Sequence, residues 1–250
     1  MSDLVVKSVD AGVLTVRMNR PDKKNALTAD MYQALADALD EAAQTPSIRA
    51  TLILGVPGAF TAGNDIGDFL KTAMSGNRGS NAVFDFLERL IMAKKPVVAG
   101  VDGLAIGVGV TLLMHCDHVV ASLGSTFRTP FVDLGLLPEA GSSLIAPRIM
   151  GHHRAFALLA MGETFSASDA HTAGLVNKVV PPTELEETAK NAARAIAAKP
   201  AEALAISRDL IRGDRSDVLA RMREEAVLWE ARLKSDEARQ AFMAFMQRGK

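Results

Sequence analysis

The sequence predicts an α/β fold that ends in a helical tail. Three features say so: an alternating hairpin pattern at the start, short apolar runs interleaved with helix-period segments, and a stretch beyond about Pro181 that is helix-prone throughout with no strand candidate. LVVKSV and VLTVRMN flank the turn-like DAG, and Leu14, Val16 and Met18 alternate with Thr15, Arg17 and Asn19, the period of a half-buried hairpin. Thr28 is placed to cap a helix through MYQALADALDEAA, where Met31, Leu35, Leu39 and Ala42 recur near helical spacing. ATLILG, bounded by Gly55 and Pro57, reads as a buried strand. NAVFDFLERLIMA then reads as helix, PVVAGVDG as strand, VTLLMHC as helix and HVVAS as strand, an alternation that favours parallel pairing. In the tail, Met222, Leu228, Phe242, Phe245 and Met246 carry more apolar surface than one isolated helix hides, so packing on the body or on another subunit is expected.

The bulk numbers narrow the function classes. With 250 residues, 48% hydrophobic and 23% charged, the chain has the composition of a soluble globular protein and can bury a substantial core. Its 28 basic and 29 acidic residues are evenly mixed, so the overall field steers neither nucleic acid nor membrane, and any anionic ligand needs a local cluster. Cys116 is the single cysteine, which excludes an internal disulfide and suits a reducing compartment. MSDLVVKSVD has neither the basic start nor the apolar core of a secretory signal, and a cytoplasmic location is expected.

Phosphate-loop, nucleophile-elbow and zinc-helix motifs are absent, and the glycines at 103, 107 and 109 have the wrong spacing for a dinucleotide fingerprint. His115 and His118 bracket Cys116 and Asp117, but without the spacing of a structural zinc site, and packing or capping accounts for them. Two glycine-rich segments, GAFTAGNDI and DGLAIGVGV, each follow a predicted strand. Small residues there either serve tight packing or leave backbone N–H groups free to donate to an anion; two such segments in one chain suggest a two-donor oxyanion hole. Arg20, Lys23 and Lys24 in MNRPDKKNAL form the nearest thing to a basic loop, serving either phosphates or solvation. Glu139 stands among apolar residues in PFVDLGLLPEAGSS, where a carboxylate is costly without a partner or a proton. It reads either as a first-turn helix residue favoured by the macrodipole or as a functional acid.

Together these segments resemble the crotonase superfamily of enoyl-CoA hydratases and isomerases over essentially the whole chain. MNRPDKKNAL is similar to that family's R-P-x-x-x-N-A-L segment, GAFTAGNDI to its first oxyanion segment and VDGLAIGVGV to its second. The resemblance implies a spiral of strand-strand-helix turns, with a core over residues 1–195 holding an acyl-CoA site and a helical oligomerisation region over 196–250 that builds trimers or dimers of trimers. It implies that CoA runs along Lys23, Lys24, Ala62, Gly63, Asn64, Asp65 and Ile66, with Gly107, Thr111 and Phe131 also lining the substrate. It further implies that the N–H groups of Ala62 and Val108 hold the thioester oxygen. No metal or redox cofactor is expected; coenzyme A enters as part of the substrate.

The departures bear on the chemistry. Family hydratases carry two glutamates, aligned here with Thr111 and Phe131, and neither replacement moves a proton in that role. A single glutamate at the position of Glu139 resembles the Δ3-Δ2-enoyl-CoA isomerase branch, especially its peroxisomal type, although RGK is not the S-K-L address. The expected activity is a shift of a 3-enoyl-CoA double bond to the 2-position, with Glu139 as the shuttle base and Leu136, Leu137 and Phe131 as its dry surroundings. A hydratase or another crotonase-type lyase that recruits Glu139 and a second group, Asp133 or Glu163, is the first alternative, and a non-catalytic acyl-CoA-binding protein the second. The variable segment KTAMSGNRGSNAVF and a neighbouring subunit's tail are expected to wall the acyl pocket.

Overall fold

The computed structural model describes residues 4–65, Gly67 and 82–248. The hairpin forms as its alternation requires: β1 (Val5–Asp10) and β2 (Val13–Met18) pair antiparallel. Ala11 and Gly12, both with positive φ, make the tight turn that fits strand twist. α1 (Ala29–Gln44) starts where Thr28 accepts a hydrogen bond from Met31 N, and buries Met31, Tyr32, Leu35 and Leu39. Then follow β3 (Ala50–Leu54), β4 (Ala59–Thr61), α2 (Ala82–Ile91), β5 (Val97–Val101), β6 (Leu104–Ile106), the single turn α3 (Val108–Thr111), β7 (His118–Ser122) and β8 (Thr126–Arg128).

The strands sort alternately into two sheets. β3, β5 and β7 are adjacent in a large sheet, ordered β1-β2-β3-β5-β7 with Lys178–Val180 (β10) at its far edge, and β4, β6 and β8 are adjacent in a small one. Each turn of chain therefore adds one strand to each sheet before its helix, which is the strand-strand-helix spiral. From β2 onward the large sheet is parallel, and its inner strands ATLIL and VVAGV are buried on both faces, which explains their unbroken apolar runs. The strands of the small sheet are three residues or shorter, and the sequence did not predict them. VTLLMHC is only partly α-helix, since after Thr111 it tightens into a 3-10 turn, Leu112–His115. The greater rise per residue of that turn carries the chain sooner to β7.

After β8 come a 3-10 turn (Val132–Leu134), α4 (Ser142–Leu159), β9 (Phe165–Ser166), α5 (Ala167–Thr172) and β10 (Lys178–Val180). The tail is α6 (Pro182–Ala197), α7 (Ala201–Arg212), α8 (Ser216–Leu233) and α9 (Asp236–Arg248). α6 covers one face of the large sheet with Leu185, Ala189 and Ala193 against Leu52, Val98 and Val120. Met222 of α8 and Phe242 of α9 join the main core, while Leu228 is half-exposed. The side chains of Phe245 and Met246 lie outside the described residues, as do Ile66 and the part of the expected pocket wall before Ala82. No helix among the described residues is long and apolar enough to cross a membrane.

Candidate active site

The site is built where the two glycine-rich segments meet. Gly63 has φ +86°, and a Cβ there would stand 2.9 Å from Ile106 O; a Cβ on Gly109 would stand 2.5 Å from Thr61 Cγ2. The loop after β4 and the start of α3 therefore lie against each other with no room for side chains. Asp65 ties the loop to the basic segment, since Arg20 Nη1 is 2.7 Å from its Oδ2 and 2.8 Å from Ala26 O. Asn25, fully buried, accepts from Arg20 N at 2.7 Å and donates to Ala59 O and Phe60 O at 3.0 and 3.1 Å. Arg20 and Asn25 thus build the loop, whereas Lys23 and Lys24 are exposed and form no ion pair among the described residues.

The backbone bonds correct one expectation. Ala62 N–H is committed to Lys24 O at 2.9 Å, Gly63 N–H to Thr61 Oγ1 at 3.0 Å and Asp65 N–H to Leu27 O at 2.9 Å. Ala62 is therefore not a free oxyanion donor. Within residues 62–65 the amide with no acceptor among the described residues is that of Asn64. The left-handed backbone of Lys24 and Asn25 carries the Lys24 carbonyl in that short basic turn, a conformation the sequence does not display. On the other segment, Gly107 provides no side-chain cap, and Val108 N–H has no acceptor among the described residues. The Val108 side chain is buried in the core, so the valine leaves its own amide unobstructed.

Glu139 lies in the loop before α4 and is half-buried. Thr111 Oγ1 stands 2.5 Å from its Oε1 and 3.4 Å from Val108 O. The carboxyl is thus anchored by a residue three positions, about 4.5 Å of helical rise, beyond Val108. Burial pushes its pKa up to about 7; the Thr111 hydrogen bond opposes this and the charge of Glu225 adds to it. Phe131 is buried, and its Cε1 lies 3.8 Å from where a Cβ on Gly107 would stand; Leu136 is buried beside the same core. Asp133 is exposed and paired with Arg128 at 2.7 Å, and Glu163 is exposed, so neither shares the setting of Glu139.

Two polar residues near the site went unread in the sequence. Tyr32 of α1 donates its hydroxyl to Asn64 Oδ1, and burial together with the Glu139 charge raises its pKa well above the usual phenol range. It is the single tyrosine of the chain and stands in the buried stripe of a helix, where a phenol needs a polar partner; that was the available signal. Glu225 of α8 is the other. His115 is held between Arg215 and Ala140 O, and Asp117 caps Val97 N and pairs with Arg208.

Comparison with known proteins places the chain in a family. A profile described as "Enoyl-CoA hydratase/isomerase" matches residues 8–250. "Enoyl-CoA delta isomerase 2" of Rattus norvegicus is 36% identical over 98% of this chain, which spans only 63% of that relative's length. "1,2-epoxyphenylacetyl-CoA isomerase" of Escherichia coli (strain K12) is 32% identical, over 88% of this chain and 86% of its own. A crystal structure described as an enoyl-CoA hydratase/isomerase from Pseudoalteromonas atlantica T6c superimposes with a TM-score of 0.93 at 37% identity, covering 98% of both chains. With the two-sheet spiral, the paired glycine segments and a family match over nearly its full length, the chain belongs to the enoyl-CoA hydratase/isomerase family, the crotonase superfamily.

Proposed function

We propose that the protein is an acyl-CoA isomerase that moves a 3-enoyl-CoA double bond to the 2-position. The observation that carries this reading is Glu139, an acid raised to about 7 and held by Thr111, a residue of the same short helix whose first N–H, that of Val108, has no acceptor among the described residues. A carboxylate with that proton affinity is half-ionised near neutral pH, the condition under which one group both removes and returns a proton efficiently. Glu139 takes a proton from the carbon next to the thioester; the negative charge spreads to the thioester oxygen, and the electron pair shifts the double bond into conjugation. The same carboxyl then delivers the proton two carbons further along.

The dienolate oxygen is received by the amides of Asn64 and Val108, donors set before charge develops. Lys23 and Lys24, exposed beside that loop, are assigned to the CoA phosphates, with Gly63, Asp65 and Ile66 along the same path. Phe131 and Gly107 line the acyl side and exclude water, and no metal or redox step enters. Hydration is disfavoured because Thr111 and Phe131 occupy the places where a second acid would activate water. Exposed Ile206, Leu210 and Ile211 on α7 supply apolar surface for assembly as a trimer or dimer of trimers.

The test follows the conjugated 2-enoyl-CoA formed from a 3-enoyl-CoA by wild type and by Glu139→Gln. Loss of about 10²–10⁴-fold in kcat is expected for the variant. Retained activity refutes the base, faster hydration of crotonyl-CoA than isomerisation favours a lyase, and tight binding without turnover favours a carrier.

A further inference from the structure

Directly after Glu139 the chain takes two consecutive left-handed residues, Ala140 at φ 63° and Gly141 at φ 70°. A non-glycine residue keeps that backbone only where its surroundings hold it. Both polar groups of the Ala140–Gly141 peptide are held by buried side chains from remote parts of the chain. On one side, His115 Nε2 lies 2.8 Å from Ala140 O, and its Nδ1 lies 2.8 Å from Arg215 Nη2. A guanidinium only donates, so Nδ1 accepts and Nε2–H donates to the carbonyl. Burial, reinforced by Arg215, lowers the His115 pKa to about 3, which keeps this neutral tautomer across the working range.

On the other side, Gly141 N–H donates to Glu225 Oε2 at 2.6 Å, while Glu225 Oε1 receives Ser143 N at 3.1 Å and Ser143 Oγ at 2.5 Å. Glu225 is 3% exposed. Two helical turns earlier on the same face of α8, Val218 fills the remaining space: a Cβ on Gly141 would stand 2.8 Å from its Cγ1. Arg215, Val218 and Glu225 all belong to the tail, and Arg232 Nε reaches Gly135 O at 3.0 Å near the other end of the same loop. We propose that Glu225 and His115 are positioning residues that clamp the Ala140–Gly141 peptide and thereby aim the Glu139 carboxylate. The helical tail in this way sets the geometry of the proton shuttle.

This rests on the isomerase reading for its kinetic arm only. The groups that face Glu139 are Tyr32 from α1, Thr111 from α3 and Glu225 from α8; Glu225 itself faces Ser143, the α4 backbone and Arg221 of its own helix. Glutamine at 225 offers one oxygen where the carboxylate offers two, so its amide meets an N–H donor and one anchor is lost. The experiment uses the full chain labelled with 13C-glutamate. Glu139 is assigned by its absence in Glu139→Gln and titrated in wild type and in Glu225→Gln, alongside kcat and KM for a 3-enoyl-CoA.

In Glu225→Gln the Glu139 titration is expected to move down toward the ordinary carboxylate range. kcat should fall about tenfold or more while KM stays within about threefold, the split expected when positioning and not binding is lost. Adding Ala140→Gly, which accepts the left-handed turn freely, should recover part of that kcat. If Glu225→Gln does not fold, Ser143→Ala carries the test, with the same directions and about threefold in kcat. An unchanged Glu139 titration with kcat within about twofold of wild type overturns the clamp. A wild type inert toward 3-enoyl-CoA, with the Glu139 titration displaced in Ser143→Ala, which removes no charge, as well as in Glu225→Gln, overturns the isomerase reading and leaves the clamp standing.

Discussion

Glu139→Gln removes a charge while keeping size and an oxygen for the Thr111 hydroxyl, so it isolates what ionising this site costs the fold. The carboxyl is raised from an ordinary 4.5 to about 7, burial being the largest cause. Because its folded pKa is higher, the native state holds the proton more tightly than the unfolded chain between those values. Stability from this group is therefore complete below pH 4.5 and lost as pH rises toward 7. Integrating the linkage gives a penalty of about 3 kcal/mol at pH 8 and under about 1 kcal/mol at pH 5.

Glutamine never ionises, so Glu139→Gln should exceed wild type by about 3 kcal/mol at pH 8 and nearly match it at pH 5. Urea unfolding of both proteins at fixed protein concentration, across pH 5 to 8, measures the difference. Burial is the chief cause of the raised proton affinity at the proposed base. A difference that does not change with pH, or a glutamine variant less stable than wild type at pH 8, refutes it. A variant that gains stability and loses turnover would mark Glu139 as strained for function.

Two further outcomes follow from the hydrogen bonds. Thr111→Val removes the donor that opposes the rise at Glu139, so the acidic limb of the kcat/KM profile should move to higher pH, with about a tenfold loss at pH 7; a profile unchanged in position counts against the Thr111–Glu139 bond. Asn25→Ala leaves Ala59 O, Phe60 O and Arg20 N without their buried partner, and a loss of about 3 kcal/mol in urea unfolding is expected.

What the sequence disclosed depends on whether a feature has a period. The hairpin, α1 and the inner parallel strands were legible because alternation or unbroken apolarity runs over five residues or more. The small sheet was not, since three residues such as AFT or LAI are too few to set a period. Glu139 stood out as a carboxylate in an apolar stretch, and the structure gives it a half-buried place with Thr111 as its hydrogen-bond partner. Which amide of GAFTAGNDI stays free was illegible, because it depends on where the Lys24 carbonyl is carried by a left-handed turn elsewhere in the chain. Glu225 was hidden for another reason: in the run MREEAV it reads as part of a solvated charged face, and only the packing of α8 on α4 turns it inward.

The relation between Thr111 and Glu139 bears on how one acid would suffice for the proposed double-bond shift. A second carboxylate at position 111 would stand within hydrogen-bond reach of Glu139, and two like charges so close cannot both ionise, so one would remain protonated as an acid. A hydroxyl imposes no such division. With Glu139 ionised, Thr111 donates to it at 2.5 Å; once Glu139 has taken a proton, the hydroxyl can donate to Val108 O, 3.4 Å away, and accept from the protonated carboxyl. The partner thus follows the protonation state without a change in charge, which suits a base that must hold a proton briefly and return it. The same residue joins the acid to the turn that bears the Val108 amide, so the proposed isomerisation would manage proton and oxyanion on one element.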